Sequence, residues 1–143
     1  MTGDTPYNDA LKEHYHNPRN RADPSDAQVV RRGRNPRCGD DLEIGVDFDG
    51  DTLRRVRFRG RGCSICIVSA SMMTEAVTGH TRKEAQDLSD FMRRWFDGCA
   101  VCDDETPELL RPLSMVRKFP ARWRCVLLAW EALDETLSAG AGG

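Results

Sequence analysis

No run of this chain approaches the roughly 20 consecutive apolar residues that a membrane-spanning helix needs. Its opening stretch, Met1-Thr-Gly-Asp-Thr-Pro6, lacks the apolar core of a secretory signal. These absences predict a chain that engages no membrane and works in the cytoplasm. Lysine stands only at positions 12, 83 and 118, and the formal net charge is −2. That balance argues against nucleic acid as the main partner, because binding a phosphate backbone draws on a basic surface. No internal repeat is present, which excludes a solenoid or propeller. Histidine is limited to His14, His16 and His80. None lies beside a cysteine or in a helical zinc-site spacing, so surface or capping roles are expected for all three.

What the chain does have is cysteine. Six occur, at 38, 63, 66, 99, 102 and 125, in 143 residues. A chain of this length can bury a core without covalent staples, and no secretory signal accompanies it. Thiol or metal chemistry is therefore expected rather than a disulfide framework. The most apolar stretch follows Gly60-Arg-Gly62. Ile65, Ile67, Val68, Ala70, Met72, Met73, Ala76 and Val77 leave only a thin Ser/Thr strip, the pattern of a buried central helix ended at Gly79. Cys63 then sits where a glycine turn enters that helix, a place where unpaired N–H groups favour an anionic sulfur.

Around this helix the remaining pattern reads as α+β. Tyr7, Leu11 and His14/Tyr15 recur at helical spacing, and Asn17-Pro-Arg-Asn20 stops that helix before a polar loop reaching Asp26. Gln28–Arg31 is a short strand candidate, followed by a turn-rich stretch from Gly33 to Asp41. Leu42, Ile44, Val46 and Phe48 alternate as a half-buried strand. Asp49-Gly-Asp51 turns the chain into a return strand with Leu53, Val56 and Phe58, and the step of three after Leu53 predicts a bulge. Thr81-Arg-Lys-Glu84 is a capping box opening a helix with Leu88, Phe91, Met92, Trp95 and Phe96 on one stripe and Gly98 at its end. Thr106-Pro107 starts a short helix that Pro112 should stop. A last helix from near Pro120 carries Trp123, Val126, Leu127, Trp130, Leu133 and Leu137 inward. The expected architecture is a small three-stranded antiparallel sheet with helices packed on one face. It forms a single domain over residues 1–138, with a flexible Gly-rich tail at 139–143.

That meander places the loop holding Cys38 and the strand exit holding Cys63 at one end of the sheet. Cys125, early in the last helix, could be brought to the same end, although sequence alone does not place it there. Cys38-Gly39-Asp40 adds a carboxylate two residues from a thiol. Together these residues would complete a tetrahedral shell of three sulfurs and one oxygen, suited to zinc, copper(I) or an iron–sulfur unit. Asp40 could equally close an Asx-turn. The rival arrangement pairs Cys63-x-x-Cys66 with Cys99-x-x-Cys102 as a zinc ribbon. It is disfavoured because Cys66 falls one turn inside an apolar helix, where cysteine packs as a small hydrophobe. Cys99 and Cys102 read as a redox pair or as two incidental loop thiols.

Asn35-Pro-Arg-Cys-Gly-Asp40, Gly62-Cys-Ser-Ile65, Ala70-Ser-Met-Met-Thr74 and Arg124-Cys125 resemble the U-type iron–sulfur assembly proteins, the NifU N-terminal, IscU and SufU family. The likeness extends from His14-Tyr-His-Asn-Pro-Arg-Asn20 to about Leu133. It implies the family's α+β scaffold fold, with metal ligands at Cys38, Asp40, Cys63 and Cys125. The SufU branch is the most similar, because Arg124 stands where IscU-type members carry histidine and Lys118-Phe-Pro-Ala-Arg122 replaces their chaperone motif. The resemblance implies a zinc-dependent sulfur acceptor, sulfurtransferase-like, taking persulfide sulfur from a SufS-like cysteine desulfurase and serving downstream iron–sulfur assembly proteins. Cys38, in a Gly/Pro-rich loop, is then the expected acceptor. The alternatives are a scaffold on which a 2Fe–2S cluster or iron assembles on the same cysteines, and a zinc-structured interaction module without sulfur chemistry. Cys66 and the Cys99/Cys102 pair depart from the family pattern.

Overall fold

The structure, a computed structural model, describes residues 5–37, 39–98 and 105–140. The expectations for Cys38, Cys99 and Cys102 therefore fall outside the described residues. Helix α1 (Thr5–His16) leads to strands β1 (Val29–Asn35), β2 (Asp40–Asp49) and β3 (Thr52–Arg61). These form an antiparallel meander in the order β1-β2-β3. Helices α2 (Ser64–Val77), α3 (Arg82–Trp95) and α4 (Trp123–Gly140) follow, with a 3-10 segment (Glu108–Lys118) and a 3-10 turn (Pro120–Arg122) before α4. This is the expected α+β arrangement.

Alternation on β2 sends Leu42, Ile44 and Val46 inward, each fully buried, and Val56 and Phe58 of β3 continue that surface. On it lie α2 and α4, while α1 and α3 pack onto those two helices. Gly50 (φ +60°) forms the hairpin turn, and the register slips between Asp47↔Arg55 and Phe48↔Leu53. Arg54 is left over there, which is the anticipated bulge. The capping box at α3 is complete: the Glu84 amide donates to Thr81 Oγ1 at 3.1 Å and the Thr81 amide to Glu84 Oε1 at 2.9 Å.

Several sequence expectations need correction. Strand β1 extends to Asn35, where turn had been expected from Gly33, because register with β2 holds as far as Asn35↔Asp40. Gly33 suits that strand, since a Cβ there would come within 3.1 Å of the Leu128 carbonyl of α4. The α2 helix leaves through Thr78 in extended conformation, and Gly79 (φ +86°) gives its N–H to Leu53 O of β3 rather than back to the helix. Pro112 does not stop its helix. In a run of i→i+3 turns a proline with its fixed φ removes only one donor, and the 3-10 segment continues to Lys118. Helix α4 takes in Ala139 and Gly140, which the sequence reading assigned to the tail.

The polar stretch after α1 is loop, but it is tied down. The Ala22 N–H donates to Phe58 O and the Phe58 N–H to Asn20 O, both at 3.0 Å, so residues 20–22 lie along the free edge of β3. Beyond them Pro24 and Ala27 press on Gly45, where any Cβ would come within 2.6 Å of Pro24. The Arg57 guanidinium, 3% exposed, holds this segment by donating to Asp26, to the Asp23 carbonyl and to Asp47. Together they cover part of the sheet's outer face.

Candidate metal centre

Asp40 opens β2 directly opposite Asn35, and Gly39 before it is in a left-handed conformation (φ +72°). Only 2% of Asp40 is exposed. One of its carboxylate oxygens accepts the Cys63 amide at 2.9 Å, and the other lies 4.0 Å from Cys63 Sγ. Gly62 makes this approach possible: a Cβ there would stand 2.7 Å from Asp40 Oδ1. Cys63 itself is the residue preceding α2, in extended conformation and half-buried, with its side chain making no cap to the helix.

Cys125 arrives from the first turn of α4 and is 1% exposed. The α4 helix is fixed against α2 by Ser69 Oγ, which donates to Val126 O at 2.6 Å. The ligand atoms of Asp40, Cys63 and Cys125 all lie within 4.8 Å of one another. Burial pushes the Cys125 thiol far up from its ordinary range, and the nearby Cys63 and Asp40 push in the same direction. A thiolate is thus disfavoured there until a cation compensates, which is the electrostatic logic of a metal site. Two sulfurs and a carboxylate oxygen with this spacing could hold a metal ion, and soft thiolates suit zinc or an iron–sulfur unit over calcium or magnesium.

Of the four anticipated ligands, the structure brings these three together, and Cys38 lies outside the described residues. Cys66 packs in the core at 0% exposure, one turn inside α2, and does not join the group. His14 departs from its expected surface role. It is 6% exposed, with Nδ1 2.7 Å from Ser71 Oγ and Nε2 3.6 Å from Glu75. Sequence reasoning missed the double role of Asp40 as ligand candidate and amide acceptor. The available signal was the Gly60-x-Gly62 spacing before Cys63, which opens room for a carboxylate.

A family model for the NifU-like N terminal domain matches residues 6–93. The chain is 37% identical over 140 residues to the zinc-dependent sulfurtransferase SufU of Bacillus subtilis, covering 98% of this chain and 95% of that one. It is 38% identical over 107 residues to the iron–sulfur cluster assembly scaffold protein IscU of Streptococcus pyogenes, covering 75% and 67%. The crystal structure of FiSufU from Fervidobacterium islandicum AW-1 superposes with a TM-score of 0.81 at 26% identity, over 90% of this chain and 93% of that one. By the span of the family match and the near full-length likeness to SufU, this chain belongs to the NifU-like N-terminal domain family.

Proposed function

We propose that this protein accepts sulfur from a cysteine desulfurase during iron–sulfur cluster biogenesis, with zinc held by Cys38, Asp40, Cys63 and Cys125. The observation carrying the reading is the convergence of the Asp40, Cys63 and Cys125 donor atoms within 4.8 Å, with Asp40 two residues along the chain from Cys38. The 37% identity to a zinc-dependent sulfurtransferase supports it. Bound zinc would keep the thiolates deprotonated and oriented.

Cys38 is the acceptor in this reading. Cys125 is buried in a helix, and the Cys63 backbone is fixed by the hydrogen bond its N–H donates to the Asp40 carboxylate. Cys38 lies in Asn35-Pro-Arg-Cys-Gly39, the kind of loop that can present a side chain without disturbing the core. Its thiolate attacks the outer sulfur of the desulfurase's cysteine persulfide. A new S–S bond forms on Cys38, the partner's S–S bond breaks, and the partner's cysteine leaves as a thiolate, so no oxidant or reductant is consumed. Arg122 and Arg124, both exposed beside Cys125, provide positive charge for an acidic patch on that partner. The protein works in the cytoplasm and passes sulfur to downstream iron–sulfur assembly proteins. Among the described residues no helix is long and apolar enough to cross a membrane.

The test is to incubate the protein with its desulfurase and cysteine, alkylate, and map the persulfide by mass spectrometry. Sulfur on Cys38, and none transferred by a Cys38→Ser variant, is the expected result. Accumulation on Cys63, Cys99 or Cys102 with Cys38 unmodified overturns it. The likeness to IscU-type scaffold proteins favours a second reading, assembly of a 2Fe–2S cluster on the same cysteines. Anaerobic purification followed by zinc, iron and acid-labile sulfide analysis separates the two.

A further inference from the structure

At the far end of α2 from Cys63 lies a cavity of about 610 Å³, between the last turn of α2, the first two turns of α3 and the start of the 3-10 segment. Since α2 has 14 residues, the cavity lies about 21 Å from the metal centre along that helix. Its floor is apolar. Ala76, Leu88 and Leu109 present half-buried or exposed surface above the buried Phe91.

The rim has one sign of charge. Glu75, Glu84, Asp87 and Glu105 surround the apolar floor, all exposed, and no lysine or arginine occurs among the described lining residues. Among the described residues the cationic side chains beside Glu75 and Glu84 are histidines, His14 at 3.6 Å and His80 at 3.4 Å, Glu84 also closes the capping box with Thr81, and Asp87 has the outlying Lys83 at 3.3 Å. An apolar trough with an acidic rim is complementary to a helix with an apolar stripe flanked by lysine or arginine. A second copy presenting this same face would oppose acid to acid. The stretch from Glu84 to Phe91 is two helical turns, about 11 Å, enough to seat apolar side chains at i and i+3 or i+4 of such a helix.

We infer that this groove is a docking site for a cationic amphipathic helix of a partner protein. Being remote from Cys63, it leaves the metal centre accessible while occupied. The inference does not depend on the chemistry proposed for that centre.

The probe is a synthetic peptide with leucines at i, i+3, i+4 and i+7 and lysines elsewhere. It is titrated into the full-length, metal-loaded protein by fluorescence anisotropy and by amide shift mapping. Saturable binding should perturb amides of Ala76, Leu88 and Leu109. A scrambled peptide of the same composition, and one with glutamates for lysines, should bind at least about tenfold more weakly. Leu88→Glu should weaken binding about tenfold or more, and Leu109→Glu, on a separate segment, serves if the first variant misfolds. Reversing Asp87 and Glu105 to lysine together should weaken binding at low salt, with the difference shrinking as salt rises. Equal binding of the scrambled peptide, shifts mapping elsewhere, or indifference to both leucine variants overturns the inference. Two further outcomes do the same in the absence of peptide binding: occupation of the groove by a neutral aromatic probe, or self-association abolished by Leu88→Glu.

Discussion

Asp40 uses its two oxygens differently, and substitution can separate the two uses. Oδ1 accepts the Cys63 amide, while Oδ2 lies 4.0 Å from Cys63 Sγ. Asp40→Asn can keep the amide acceptor while losing the charge. It should stay folded and bind zinc at least about tenfold more weakly, as read by competition with a chromogenic chelator. Asp40→Ala should lose the metal similarly and forfeit about 1 kcal/mol more of stability through the orphaned Cys63 N–H. Equal melting temperatures for the two metal-free variants would remove the amide role. Gly60 is a sharper case. At φ +150°, a Cβ would stand 2.1 Å from the Asp41 carbonyl, inside a paired strand that cannot retreat. Gly60→Ala is expected to destabilise the protein by about 3 kcal/mol or more in urea titration, the range of backbone-strain substitutions.

At the scale of elements, α1 is docked through one buried histidine. Ser71 Oγ accepts the Arg19 amide at 2.7 Å and lies 2.7 Å from His14 Nδ1, while Nε2 faces Glu75. Burial lowers the His14 pKa from 6.5, Arg19 adds to the effect, and Glu75 and Glu13 oppose it. Neutral His14 is the form that fits. Its contribution is complete above pH 6.5 and declines as pH falls through 6.5 toward the lower folded value, because the undocked helix takes up the proton first. His14→Gln should therefore flatten the fall in melting temperature between pH 7.5 and 5.5, compared as metal-free proteins; an unchanged slope would exclude this linkage. The elements legible in the sequence were those specified locally. The capping box, the hairpin turn and the bulge each follow from a few neighbouring residues, and the meander then brought Asp40 to Cys63. The burial of His14, the strapping of residues 20–28 across the sheet and the approach of Cys125 to Cys63 depend on partners far along the chain, on strands and helices that local sequence does not position. The passage of the 3-10 segment through Pro112 was hidden for a related reason: proline forbids an α-helical hydrogen bond but tolerates a succession of tighter turns.

For the whole molecule, the metal centre lies at one end of a core that continues between the sheet, α2 and α4 well beyond it. Chelation should leave most of the far-UV CD signal intact and lower the melting temperature. Faster amide exchange should concentrate near residues 36–40, 61–66 and 123–127. Complete loss of helical signal on mild chelation would instead make the metal the nucleus of the fold. The sheet has a different vulnerability, and the strap of residues 20–22 bears on it. Along the outer side of β3, Phe58 is occupied by Asn20 and Ala22, and Leu53 by Gly79 and His80. Any template-driven growth of this sheet into fibrils is thereby turned toward β1. There Arg31, Arg32 and Arg34 would have to line one seam against their counterparts in a second chain. Guanidinium groups crowded along a shared strand repel, so the chain guards one margin with its own backbone and the other with charge.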